Sequence, residues 1–212
     1  MILARRISPK AHATVFLVLV PLLLISATVA CGGGCSGQSC TFKAVSGGAI
    51  AAPDQPGFAQ FYKGGSSFYD VTGGGGGGRG FNVAALDPKT FALVGGSVAH
   101  FDTWASRETG TDMNNLIAFL NGLPNGTPIL IAVADEAGLN YFPSEGNPCT
   151  FLPDPWVQQG LQTLQSLGSQ QIGSYCYQYS WAMIAVKGEG TGRSEQLAGP
   201  TTATAQGSLT KE

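Results

Sequence analysis

The side chains best suited to chemistry in this 212-residue chain are two short acidic motifs, one arginine and a set of tyrosines. Asp102 and Trp104 stand in Phe101-Asp102-Thr103-Trp104, at the end of a strand-like segment. A short carboxylate beside an indole suits a sugar: the flat ring covers the apolar side of a pyranose and the carboxylate orients its hydroxyls. The same pair also serves as a core ring and a turn cap. Asp135 and Glu136 follow the apolar run 127–134, where they cap a loop or face a ligand. Arg79 closes a glycine run and is placed to pair with Asp135 or Glu136, or to meet an acidic sugar. Tyr175, Tyr177, Tyr179 and Trp181 alternate with period two, so a strand would carry all four rings on one face. Trp181 then enters the core, while Tyr177 and Tyr179 reach the surface. The candidate ligand-binding residues are therefore Arg79, Asp102, Trp104, Asp135, Glu136, Tyr177 and Tyr179.

Catalysis fits this set badly. Glycoside hydrolysis needs two carboxylates facing across a cleft, about 5–5.5 Å apart or wider around a water. Nothing around Asp102, Asp135 and Glu136 selects for that. A Ser-His-acid triad would rest on His100 alone, with no G-x-S-x-G elbow, and His100 reads as a partly buried strand residue. The six glycines of 73–78 lack the Gly-Lys-Ser/Thr that closes a phosphate loop, so they read as a mobile connection. No catalytic residue, cofactor or metal is expected.

Five cysteines set the compartment. Residues 1–30 hold Arg5, Arg6 and Lys10, then an apolar run, then Thr28-Val29-Ala30 before Cys31. Basic region, apolar core and small residues form an export signal. A cysteine directly after it is the pattern of a bacterial lipoprotein, cleaved before Cys31 and lipidated on its thiol, a membrane-anchored state. An uncleaved anchor and ordinary secretion are the other readings, and all three place the rest of the chain outside the cytoplasm. Cleavage removes 30 residues and three of the 11 basic groups, leaving 182 residues with 8 bases against 13 acids, a net charge of −5. That balance argues against nucleic acid as partner. Cys35, Cys40, Cys149 and Cys176 remain, an even number that suggests two disulfides with three possible pairings. Cys35–Cys40 with Cys149–Cys176 is the favoured one. Thiol ligation of a metal is disfavoured, since His12 leaves with the leader and His100 then has no second imidazole.

These residues need elements to hold them. Residues 31–40 read as a flexible tether. Strands are expected over Phe42–Ala52, over Phe58–Val71 around a Gly-Gly turn, and over Phe81–Leu86, with Phe91–Val94 completing a hairpin and Ser97–Phe101 following. Leu116, Phe119, Leu120 and Leu123 form one helical face over Asp112–Asn121, capped by Thr111 or Asp112. Thr127–Ala134 is a central strand apolar on both faces. A second helix runs from Trp156 to Leu167 and stops at Gly168. Ile172–Lys187 supplies one broken strand or two. Residues 193–212, polar and without periodicity, are expected to be disordered.

Taken in order, Arg79-Gly80-Phe81-Asn82-Val83, Phe101-Asp102-Thr103-Trp104, Ile131-Ala132-Val133-Ala134-Asp135-Glu136, Leu167-Gly168-Ser169 and Ser180-Trp181-Ala182 with Lys187-Gly188 resemble the ILEI/PANDER-type domain. That family includes the interleukin-like EMT inducer, pancreatic-derived factor and the stem domain of the protein O-mannose N-acetylglucosaminyltransferase. The likeness spans about residues 40–192, giving domain limits of 41–192. It implies an α+β fold: a compact β-β-α arrangement of two small sheets packed with two or three helices. It further implies a non-catalytic binding module for carbohydrate or a surface glycoconjugate, with a protein-interaction or envelope-structural role as the other possibility. Tyr177-Gln178-Tyr179-Ser180-Trp181 lacks the Arg and Asp found there in animal members, and the loop 140–155 is longer and carries Cys149.

Overall fold

A computed structural model describes residues 34–49, 56–73, 77–199 and 201–212. The leader 1–30 and Cys31 lie outside them. Ten strands and two α-helices follow in the order β1 (Cys35–Ser36), β2 (Ser39–Gly48), β3 (Phe58–Lys63), β4 (Ser66–Thr72), β5 (Gly80–Ala85), β6 (Ala99–Phe101), α1 (Thr111–Gly122), β7 (Pro128–Asp135), α2 (Pro155–Ser166), β8 (Ser180–Val186), β9 (Ser194–Ala198) and β10 (Ala203–Thr210). All ten strands belong to one mixed sheet with the path β4-β3-β2-β7-β5-β6. The expectation of two small sheets is thereby corrected, although the α+β class holds.

The reason lies in β7. It is buried along nearly its whole length and pairs on both edges. One edge takes β5 in antiparallel register, Phe81 opposite Val133. The other edge takes β8 over Pro128–Ala132 and then β2, in parallel, at Ala134 and Asp135. β2 in turn carries β3 on one edge and β10 on the other. Where β8 and β10 diverge, two buried serines close the fork. Ser46 Oγ donates to the Val133 carbonyl and accepts from the Trp181 amide, and Ser180 Oγ accepts from the Gly48 amide. One long apolar strand with two partners on one edge thus fuses what would otherwise be two sheets.

The strand alternation fills a core on each face. Ile129, Ile131 and Val133 of β7 join Phe81, Val83, Trp181 and Met183 against the two helices. Leu130, Ala132 and Ala134 join Phe42, Phe61, Ile184, Ala203, Ala205 and Leu209 inside the curl of the sheet. α1 buries Met113, Leu116 and Leu120. α2 buries Val157, Leu161 and Leu164, a three-to-four spacing. Pro155 opens α2 where its missing N–H costs nothing. Gly160 lets the helices approach, since a Cβ there would run into Met113 Sδ. The α1 start has no cap from Thr111 or Asp112; Ser106 Oγ accepts the Asp112 amide instead, at 3.0 Å.

Four local expectations change. Residues 35–40 form a hairpin closed by the Cys35–Cys40 disulfide rather than a free tether. Phe91–Val94 forms no strand: one bridge joins Leu86 to Leu93, and a 3-10 turn covers Val94–Gly96. Tyr175, Tyr177 and Tyr179 precede β8 in a turn, with Gln178 at φ +61°, so the four rings do not share one strand face. The tail 193–212 supplies β9 and β10. Its inward positions, Ala203, Ala205 and Leu209, are mostly alanine, so the alternation carries little hydrophobic contrast in the sequence.

Candidate functional site

Most of the candidates converge at the carboxyl end of β7. Asp135 ends that strand in a left-handed conformation, φ +63°. Such a backbone in a non-glycine residue costs of order 1 kcal/mol or more and turns the chain sharply, so adjacent Asp135 and Glu136 face different surroundings. Gly57 and Gly73 press against Asp135, the Gly73 amide donating to the Gly57 carbonyl. A Cβ on either would strike Asp135. Gly73 and Gly78 are therefore packed, while Gly77 stands exposed: Tyr69 donates to Asn82 Oδ1 at 2.6 Å, and Asn82 Nδ2 donates to the Gly78 carbonyl at 2.7 Å.

Arg79 pairs with Asp102, not with Asp135 or Glu136 as the sequence suggested. Nε donates to Oδ1 at 3.0 Å and Nη2 to Oδ2 at 2.9 Å, a two-point fork between half-buried partners. The Ala105 amide adds a third bond to Asp102 Oδ1 at 3.0 Å. Burial alone would raise the Asp102 carboxyl, but Arg79 and the Ala105 amide outweigh it and hold it below the usual range. The same fork raises the Arg79 guanidinium. Position explains the partner: β5 and β6 are antiparallel neighbours, with Phe81 opposite Phe101, so residues just outside both strands meet at one corner.

Trp104 is the centre of a cationic and aromatic patch. Arg79 Cζ lies 4.2 Å from its ring centroid and Arg107 Cζ 5.4 Å. Phe142 meets Trp104 edge-on at 5.9 Å, stands 5.1 Å from Tyr177 and takes Arg107 at 4.1 Å. Glu145 reaches Arg107 at 3.8 Å. Trp104, Phe142 and Tyr177 are all partly exposed. The Cys149–Cys176 disulfide ties the loop carrying Phe142 and Glu145 to the turn carrying Tyr177. Both favoured pairings are formed, which suits an oxidising, extracytoplasmic compartment.

The acidic dipeptide splits into two roles. Asp135 is half-buried, and burial raises its carboxyl; Arg79 opposes this and Asp102 adds to it. Glu136 is buried and points inward. Its Oε1 accepts the Gly138 amide at 2.9 Å and its Oε2 accepts the Gln178 amide. Burial pushes this carboxyl up to about 7 despite those amides, with Asp135 contributing repulsion. Burial likewise raises Tyr177, aided by Glu136 and Asp135. Glu136 thus holds the turn that presents Tyr177 and offers no free oxygen to a ligand at the surface.

Tyr179 stands apart, its ring against Gly199 and the helix-side core. His100 is exposed on β6 rather than partly buried, and its Nε2 meets the Arg79 carbonyl at 2.6 Å. Among the described residues no three His, Cys, Asp or Glu side chains gather as a metal set, and no helix is long and apolar enough to cross a membrane. Arg107 and Phe142 were missed. Arg107 carried a signal, being one of only three arginines beyond the leader. Phe142 carried none, because a disulfide-tethered loop without periodicity sets its place.

The patch lies within a region recognised by its relatives. Residues 79–189, just over half the chain, match the model of the ILEI family, described as interleukin-like EMT inducer. Human cell migration-inducing and hyaluronan-binding protein is 26% identical over 110 residues, 52% of this chain but 7% of that protein. Zebrafish protein FAM3C is 30% identical over 111 residues, again 52% of this chain and 39% of its own length. Both are animal proteins, so the bacterial setting expected from the leader finds no support in them. The matched span runs from β5 to just past β8, and the chain belongs to the ILEI family.

Proposed function

We propose that this domain is a non-catalytic binding module of the extracytoplasmic space, taking carbohydrate or a surface glycoconjugate on the Trp104 patch. The observation that carries the reading is a partly exposed indole with two guanidiniums over it, Phe142 edge-on beside it and Tyr177 beyond Phe142. Rings supply stacking area, and the arginines supply fixed donors for hydroxyls or carboxylates. The name of the human relative includes hyaluronan binding, which favours a glycan among the possible ligands. Two of the three acids speak for binding rather than turnover: Asp102 is engaged by Arg79, and both oxygens of Glu136 are taken by backbone amides, which leaves Asp135 to meet a ligand.

A protein partner is the second reading, since Trp, Tyr and Arg in one patch are also the residues of interface hot spots. A glycan array probed with the purified protein separates the two. Glycan binding that falls at least tenfold in Trp104→Ala and weakens in Asp135→Ala supports the first reading. No glycan bound, or binding unchanged in Trp104→Ala, overturns it. Lipid on the Cys31 thiol belongs to this proposal as the means of anchoring, motivated by the leader and tested by loss of detergent-phase partitioning in Cys31→Ser.

A further inference from the structure

At the other end of β7 the molecule presents a different surface. An apolar depression of about 200 Å³ opens there, lined by Lys63, Phe68, Leu86, Phe91 and Leu93. Next to Leu93 stands Val94, the one large hydrophobic side chain among the described residues that is markedly exposed, at 42%. It sits on a tip followed by Gly95 and Gly96, both with positive φ and open space around them. Lys63 and Lys211 flank Phe91, with Nζ at 5.9 and 5.7 Å from its ring centroid, and Lys63 Nζ donates one of its three protons to the Phe91 carbonyl at 3.3 Å. Lys89 is exposed in the turn beside them. Among the described residues no lysine takes part in a salt bridge. Three acids share this end. Asp87 is occupied by the amides of Lys89 and Thr90 and by the Thr90 hydroxyl, Glu189 just past β8 is paired with Arg193, and the Glu212 side chain turns toward Gly126.

The chain enters the fold at the same place. Gly34 and Cys35 lie against Gly64, the neighbour of Lys63, and the Lys211 amide donates to the Gln38 carbonyl at 2.8 Å. Three peptide steps separate Gly34 from Cys31, a reach of about 11 Å at full extension. A lipid on Cys31 would therefore hold this end, and no other, against a bilayer.

We infer that the end of the molecule bearing Val94, Lys63, Lys89 and Lys211 is a membrane-docking surface, its partner a bilayer containing anionic phospholipid. The exposed valine and the apolar depression enter the headgroup region while the lysines face lipid phosphates. The site at the far end of β7 then points away from the membrane. This rests on the anchoring reading of Cys31 given above, and the test separates the two.

The full chain, produced with its leader, is floated with phosphatidylcholine vesicles with or without phosphatidylglycerol, some carrying brominated acyl chains. Val94→Trp and Ser144→Trp report depth, Ser144 lying in the exposed loop at the opposite end. Docking predicts that bromolipid quenches at least half of the emission added by Val94→Trp and none added by Ser144→Trp. It also predicts deeper quenching with phosphatidylglycerol, a difference lost in Lys63→Gln/Lys211→Gln. A chain that floats while both tryptophans stay unquenched overturns the docking surface and leaves the anchor standing. A chain that does not float removes the anchor and the inference with it.

Discussion

Two carboxylates on this fold reach inward and are treated very differently. Glu195, on β9, is supplied with four donors: the Ser169 hydroxyl and the Trp181 indole Nε1 on Oε1, and the Gln170 and Gln171 amides on Oε2. Gln171 completes the clasp by accepting the Leu197 amide and donating to the Glu195 carbonyl. Glu136, at the end of β7, is more deeply buried and receives amides from Gly138 and Gln178, with Asp135 beside it. The two serve differently: Glu195, with a full set of partners, fastens a strand, whereas burial, with Asp135 adding repulsion, raises the Glu136 carboxyl despite its two amides.

The largest effect expected from breaking this contrast is at Glu195. Glu195→Ala removes the acceptor of four donors, three of them at least partly buried and the Gln170 amide exposed, a loss of about 3–4 kcal/mol in urea unfolding at about 1 kcal/mol per bond. Hydrogen exchange should show β9 released first, because its residues are only partly buried. A loss below about 1 kcal/mol would mean that water replaces the carboxylate and that the clasp is decorative.

That clasp also marks the limit of what the sequence revealed. Both helices and the central strand were legible, because each rests on local periodicity, whereas four cysteines suggested two disulfides without fixing which of three pairings forms. The convergence of Arg79, Asp102, Trp104 and Tyr177 was only half legible. Their residue types pointed to binding, but the Arg79 partner depends on the β5–β6 register, which no local pattern encodes. Glu195 was invisible for the same reason: it sits in a segment that reads as polar and aperiodic, and its partners lie 14 to 26 residues before it. A ladder of tyrosines invited a strand, and the left-handed Gln178 forbids one.

Glu136 gives the next effect, through pH. Its carboxyl stands at about 7 in the fold against an ordinary 4.5, so between those values the native state binds more proton than the unfolded chain. Its contribution is complete below pH 4.5 and is lost as pH rises through about 7. The span corresponds to about 3 kcal/mol, and Asp135, also raised, adds in the same direction. Asp102 works the opposite way, since its lowered carboxyl loses stability as pH falls through its folded value. Urea midpoints should therefore be higher near pH 5 than at pH 8. Glu136→Gln should flatten this difference while leaving any trend below pH 4 intact. A wild-type profile flat from pH 5 to 8 would mean that the two amides on Glu136 offset its burial.

The smallest effect on stability should come from Arg79. Its fork with Asp102 is partly solvated, with side chains 27% and 29% exposed, so the pair contributes about 1 kcal/mol or less. Arg79→Ala also strips the guanidinium from Trp104, a contact of about 0.5–1 kcal/mol where solvent reaches it. Arg79→Lys restores charge but neither the planar fork nor the stacking, so it should resemble Arg79→Ala rather than wild type. A double-mutant cycle with Asp102→Asn isolates the ion pair from the ring contact. Ligand affinity should respond more than stability does, because Arg79 sets both the Asp102 carboxylate and one face of Trp104 at the same patch. If Arg79→Ala instead costs several kcal/mol of folding energy and leaves ligand binding untouched, the corner joining β5 to β6 is a structural bolt, and the contrast between the two ends of the molecule loses its functional meaning.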